Sequence, residues 1–413
     1  MNENLPSPPR IPFLDNLRSL LILSVVVLHS GLAYSNLVPW WPVLDSSRSQ
    51  FFDIFLLIRD VFGMPVLYFI AGYLALPTLR RRKSVGLFLR SKFKRLGIPF
   101  VLSLFFIVPI MPYLGQYTRS ENSGISLFEI WIQFLFRATD LKVGYLKPSD
   151  IFSHGHLWFV SLLIFFFVLF ALAYQIKIKL RPDKLESNKI NSPPKAKTVI
   201  LTLIFVGLAT AVGSILISQF FSNSSWVNLY NILIFKPVRL PLYFGYFLFG
   251  IYIYSRNWFV QGDLPSPIIM LLTACIVLSL AFLGVIDAFV KTNPPYNIQI
   301  VLTYHMLKSF LCLSFLCLLI TFMFRYWNSA SRINQSLARN SFYIYLVHMP
   351  LVLFLQIFFL NWNISIFVKF AIISALSIVL SYTISQYLIE PAPKLSIVLL
   401  LAGFFLVSIF MAP

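Results

Sequence analysis

The stretch "LDNLRSLLILSVVVLHSG" (residues 14–31) carries an arginine, Arg18, and a histidine, His29, in an otherwise apolar run. Eleven residues at about 100° each make three turns plus about 20°, so on a helix both side chains share one face, about 16 Å apart along the axis. Ionisable groups inside a membrane span are expensive and each needs a partner or water, so the pair marks a candidate site. Taken singly, Arg18 reads equally as a snorkelling anchor and His29 as a helix-packing residue. Asp15, one turn before Arg18, is placed to pair with it. In "RSKFKRLGIPF" (90–100), Lys92 and Arg95 stand three apart. Together with Arg18 they make a cation cluster suited to a polyanionic ligand such as a nucleotide-bearing cofactor. The simpler reading of these cations is a topology signal.

Further along, "SHGHLWFVSLL" (153–163) holds His154 and His156. Two apart, they cannot both face one helix stripe, which argues against a two-histidine metal site. His156 and Trp158 suit either a cavity lining or an interfacial aromatic belt. In "NSFYIYLVHMP" (340–350), Ser341, Tyr345 and His348 fall on one helix face, and Pro350 removes a backbone hydrogen bond just beyond. That face suits a cavity lining or polar helix–helix contact. Glu390, in "YLIEPAPK" (387–394), is the only acid of the last hundred residues and reads as a structural ion-pair partner. Cys275, Cys312 and Cys317 lie inside apolar runs and read as packing residues. No Gly-x-Ser-x-Gly elbow supports a covalent serine intermediate.

These residues need a scaffold. The 413-residue chain is 58% hydrophobic and 11% charged, outside the range of soluble globular proteins. Apolar runs of about 20 residues recur along it, which predicts an all-α polytopic transmembrane bundle rather than a barrel. The expected helices are 13–35, 52–79, 96–114, 156–176, 198–220, 239–255, 264–285, 299–324, 341–360 and 366–388, ten in the core, with an eleventh at 395–412. The first run is too long for a signal h-region and is interrupted by Asp15 and Arg18, so it is expected to remain in the mature chain. The formal charge of +19 sits in short loops and reads as a topology signal, not a nucleic-acid surface. The basic segments 80–95 and 177–197 then lie in the cytoplasm with the N-terminal tail, 1–12. Arg48, Arg119, Arg137, Lys142, Lys147, Lys236 and Lys291 lie outside. The longest external loop, 115–155, contains an amphipathic stretch, 126–138, suited either to the membrane interface or to a lid on the bundle.

The Arg18, ten residues, His29 pattern, with "VLYFIAGY" (66–73), "HLWFVSLL", "YIYLVHMP" and Glu390-Pro391, resembles the acyltransferase-3 superfamily of membrane acyltransferases. The similarity spans roughly residues 13–393, leaving 394–413 as an extra segment, and is nearest to the members that decorate periplasmic glucans. One departure is Lys92, where the family often has the first of two arginines; lysine keeps the charge but not the planar fork.

The resemblance implies transfer of a short acyl group, acetyl or succinyl, from cytoplasmic acyl-CoA to a hydroxyl of an extracytoplasmic carbohydrate at a bacterial inner membrane. Acyl-CoA would be a co-substrate, with no bound cofactor or metal. His29 would be the general base and Arg18, Lys92 and Arg95 would hold the donor's phosphates, while His348 or Tyr345 would steady the oxyanion. Acceptor choice would fall to the external loops, especially 36–50 with Trp40 and Trp41 and 115–155; the two tryptophans suit sugar stacking or anchoring at the membrane interface. The competing readings are a transporter or flippase of a small anionic or lipid-linked substrate, and a sensor. The first lacks the expected inverted repeat, and the second leaves His29 unexplained.

Overall fold

A computed structural model describes residues 11–82, 84–119, 124, 126–140, 143–146, 150–180, 194–259, 268–292 and 297–410. Lys142, Lys147, most of the 177–197 segment and residues 1–10 of the tail lie outside the described residues.

The chain is an all-α bundle. Its helices are α1 (Pro12–Gly31), α2 (Gln50–Arg82), α3 (Val85–Lys92), α4 (Ile98–Phe106), α5 (Ile110–Tyr117), α6 (Leu127–Thr139), α7 (Trp158–Leu180), α8 (Ala196–Ser218), α9 (Leu240–Ser255), α10 (Ile268–Thr292), α11 (Ile298–Tyr326), α12 (Arg332–Phe359), α13 (Ile366–Ile384) and α14 (Pro393–Phe410). Among the described residues, nine helical segments are long and apolar enough to cross a membrane. α9, with 16 residues, and α14 are shorter. α1 is 61% buried across its apolar window and α10 only 11%, which makes α1 central and α10 a peripheral, largely apolar-faced helix.

Three boundaries differ from expectation for local reasons. The basic segment 80–95 is mostly helix: α2 runs on to Arg82, and Ser84 caps α3 by accepting from the Leu87 amide, so Phe88 is buried. The expected span 96–114 starts inside a π-helical turn at Phe93–Gly97 that follows α3, and is divided into α4 and α5. α12 starts nine residues before the expected 341, because Ser331 caps it by accepting from the Asn334 amide at 3.2 Å.

α2 and α9 cross at backbone contact. A Cβ on Gly72 would lie 1.9 Å from the Phe247 carbonyl oxygen, and one on Gly250 would lie 2.1 Å from that of Phe69. Small residues at such a crossing let two helices approach as closely as their backbones allow.

At the end of the bundle away from Arg18 lies a feature the hydropathy pattern does not show, an antiparallel sheet of β1 (Val143–Leu146), β2 (Trp226–Leu229) and β3 (Leu233–Phe235). Tyr230 and Asn231 take positive φ, 53° and 57°, and the Ile232 amide donates to Leu229 O at 3.1 Å. That is the tight turn whose twist matches a β-hairpin.

α6 packs on the bundle rather than lying free. Ser126 and Glu129 form a capping box, Leu127, Ile130 and Phe134 are buried, and Trp131 meets Phe404 of α14 at 5.6 Å. The lid reading of 126–138 fits this packing.

Candidate active site

α1 and α12 lie side by side and bring the two halves of the sequence pattern together. At one end, Arg18 Nη2 donates to Asp15 Oδ1 at 3.0 Å and to Ala338 O of α12 at 3.0 Å. Lys92 lies within Coulombic reach of Arg18 and Arg95, with its ammonium over the Phe167 ring at 4.0 Å. Arg95 is exposed in the π-helical turn. Glu390, also at this end, pairs with Arg339 at 3.6 Å.

His29, three turns along α1, meets His348 of α12, with Nδ1 and Nε2 2.9 Å apart. His348 Nδ1 faces two main-chain oxygens of its own helix, Tyr345 O at 2.7 Å and Ile344 O at 3.3 Å. Carbonyl oxygens only accept, so Nδ1 carries the proton. With both rings neutral, His348 Nε2 then accepts from His29 Nδ1–H, which leaves the His29 Nε2 lone pair as the basic atom. The hydrogen-bond network thus assigns the tautomers.

Pro350 explains the third histidine. Having no N–H, it frees the carbonyl four residues back, Leu346 O, and His156 Nε2 donates to that oxygen at 3.2 Å. Tyr345 hydroxyl donates to His156 O, and the His156 ring meets His348 edge-on with centroids 5.2 Å apart. His156 Nδ1 is left a buried acceptor without a hydrogen-bond partner. The Tyr345 hydroxyl proton and the His348 Nδ1 proton are both engaged with main-chain oxygens. Neither side chain offers a proton to an oxyanion in this arrangement.

The segment 36–49 roofs the site. Trp41 is buried, not displayed, and stacks on His29 with centroids 5.7 Å apart and ring planes 6° apart. Its indole N–H donates to Gln356 Oε1 at 2.9 Å, and Gln356 Nε2 donates to His29 O at 3.0 Å. Trp41 therefore holds the histidine, while Trp40 is 52% exposed. The roof is anchored by a buried ion pair, Lys369 to Asp45 at 2.8 Å.

Trp158 turns from the histidines toward α9 and the hairpin, 5.7 Å from Tyr243 and 5.5 Å from Trp226. His154 stands apart too, bonded to Ser161 Oγ at 3.1 Å and Asn231 O at 3.0 Å. Among the described residues no three His, Cys, Asp or Glu side chains, these histidines included, are placed to hold a metal ion together.

Spacing did not single out a further group of charged residues, of which Arg59 and Lys308 are buried and Asp60 and Arg239 half-buried. Arg59 donates through Nε to Ser24 Oγ at 3.0 Å and through Nη2 to Leu21 O at 3.2 Å, and it lies across Gly63 of its own helix. Its neighbour Asp60 pairs with Arg239 and with Lys308 at 3.6 Å. The available signal was "LLIRDVFG", two charges inside an apolar run.

A helical membrane bundle with a histidine pair three turns from a cation cluster defines an integral membrane protein with a buried polar site. The chain belongs to the acyltransferase-3 family: that family's model, described as an acyltransferase domain, matches residues 11–386. It is thus a membrane acyltransferase. No curated protein and no solved structure matches the chain.

Proposed function

We propose that the protein moves a short acyl group, acetyl or succinyl, from cytoplasmic acyl-CoA to a hydroxyl of an extracytoplasmic carbohydrate such as a glucan, with its N-terminus in the cytoplasm of a bacterium. The observation that carries this reading is the His29–His348 contact, which leaves His29 Nε2 as a lone pair on a half-buried ring. His29 takes the proton of the acceptor hydroxyl as the oxygen attacks the thioester carbonyl; the C–O bond forms, and the thiolate leaves and is protonated. His348 fixes the tautomer that makes this possible. His156 Nδ1, buried and unpartnered, suits a hydroxyl donor, as a sugar would supply.

Arg18, Lys92 and Arg95 lie at the end from which CoA would enter, and their charges suit its phosphates. The rise of about 16 Å from Arg18 to His29 is of the size of a pantetheine arm. The charge distribution supports the orientation, with Arg80, Arg81, Arg82, Arg90, Lys92, Lys94 and Arg95 at the Arg18 end.

The test is acyl transfer by purified protein from labelled acyl-CoA, with a soluble glucan as acceptor. His29→Ala is expected to abolish transfer while leaving the protein monodisperse. Near-normal transfer by that variant would remove His29 from the reaction.

A further inference from the structure

A second polar cluster lies at the end of the bundle away from Arg18, one helix layer from the histidines. Asp60 of α2 accepts from Arg239 at the start of α9, and Lys308 of α11 reaches the other Asp60 oxygen at 3.6 Å. Lys236 stands over the Trp226 ring at 5.0 Å. The set holds three cations. Asp60 is the one carboxylate paired with them among the described residues. Burial, and then repulsion from Arg239, hold the Lys236 ammonium down to about 7, as expected where one carboxylate does not balance its cations.

Lys308 is 7% exposed, and its ammonium has a long ion pair and the Tyr304 ring at 5.8 Å but, among the described residues, no hydrogen-bond acceptor. One turn earlier, His305 is 3% exposed and its Nε2 has no hydrogen-bond partner among the described residues. Arg239, Lys308 and His305 line one small cavity with Ser214, Asn223 and Ser309. Buried cations with spare donors are costly and are retained where an anion completes them. From this cavity a continuous path of rings, Tyr243, Trp158 and Trp226, leads to the segment that carries His156.

We propose that the cavity lined by Arg239, Lys308 and His305, with Lys236 at its edge, binds an anionic group, a phosphate or carboxylate, carried by the acceptor. This rests on the reading of the protein as an acyltransferase with an extracytoplasmic acceptor. The Trp158–Trp226 pair follows on from Tyr243, which is hydrogen-bonded to Arg239 of the cavity lining, and its aromatic faces suit a sugar ring bearing the anion. A soluble glycan and a lipid headgroup offer the same chemistry.

The test uses the full chain in detergent, titrated with inorganic phosphate or acetate against chloride at matched ionic strength. At ten times its Kd, phosphate is expected to raise Tm by about 3 °C and to change tryptophan emission through Trp226. Lys308→Gln and the milder Lys236→Gln are expected to lose both responses, and Lys308→Arg to keep them. No response in the wild type, or an equal one in all variants, overturns the proposal. Competition by glycerol 3-phosphate in detergent points to a soluble source. A phosphate response that is present in detergent and in phosphatidylcholine nanodiscs but is lost in phosphatidylglycerol nanodiscs, where the lipid already fills the site, points to a lipid one. Acyl-CoA cleavage is measured in parallel. Phosphate binding without any transfer would defeat the acyltransfer reading and leave the anion site standing.

Discussion

Replacing His348 by alanine isolates the partner of the proposed base without touching the base. His29 Nδ1–H then loses the acceptor at 2.9 Å in a site where His348 is fully buried. A buried donor left without its partner costs about 1–3 kcal/mol. That cost falls on the tautomer with a basic Nε2, so the reactive population drops about 5- to 150-fold, each 1.36 kcal/mol being tenfold. The loss belongs in kcat. The KM for acyl-CoA should stay within about twofold, because Arg18, Lys92 and Arg95 lie three turns away. His348→Gln, whose amide oxygen can accept the same proton, should recover part of the loss and avoid most of the cavity. The assay is single-turnover transfer from labelled acyl-CoA in nanodiscs, with histidine nitrogen NMR reporting the His29 tautomer. A His348→Ala variant with more than half the wild-type kcat, or a loss that appears only in KM, would refute the tautomer role.

Three further outcomes follow from the same structure. Arg18→Gln removes a cation from the donor end and should raise the KM for acyl-CoA about tenfold with kcat little changed; an unchanged KM would move the donor site elsewhere. Burial holds the His154 ring down to about 4, partly offset by its bond to Asn231 O, against about 6.5 in an unfolded chain. The undocked state therefore takes up the extra proton, and hairpin docking should weaken as pH falls from 6.5 toward 4, by up to about 3 kcal/mol; hydrogen exchange across 226–235 measures it, and an equal pH dependence in His154→Gln would exclude this histidine. Gly250→Ala sets a Cβ 2.1 Å from Phe69 O and should lower Tm and the monodisperse yield sharply, whereas Gly284→Ala, whose Cβ meets nothing within 4 Å, should not.

Much of the scaffold was legible because membrane helices announce themselves in long apolar runs. The first-helix face was legible because Arg18 and His29 are close in sequence and a helix has a fixed period. What the period cannot give is the partner. His348 lies 319 residues from His29, and Asp60 lies 179 residues from Arg239, so no local pattern links them. Asp60 follows Arg59 directly, and adjacent residues on a helix point apart; the structure sends Arg59 to α1 and Asp60 to α9 and α11. The burial of Trp41 over His29 was not legible, because a loop tryptophan and a buried one look alike in sequence. The small sheet escaped because strands of three and four residues carry almost no alternation. Lys92 was legible as a cation. Its place on the Phe167 ring was not.

The His29–His348 hydrogen bond also sets a clock on biogenesis. A nascent chain inserting helix by helix would hold α1 in the bilayer through nearly the whole of synthesis before α12 reached it. Throughout that time His29 would have neither its orienting neighbour nor Gln356, which ties Trp41 to its carbonyl. A half-made chain would be an inert one, unable to cleave an activated acyl donor wastefully. By the same logic, a fragment ending before residue 348 and one starting there should each be silent, and should regain function only if the two re-form the α1–α12 seam in the membrane.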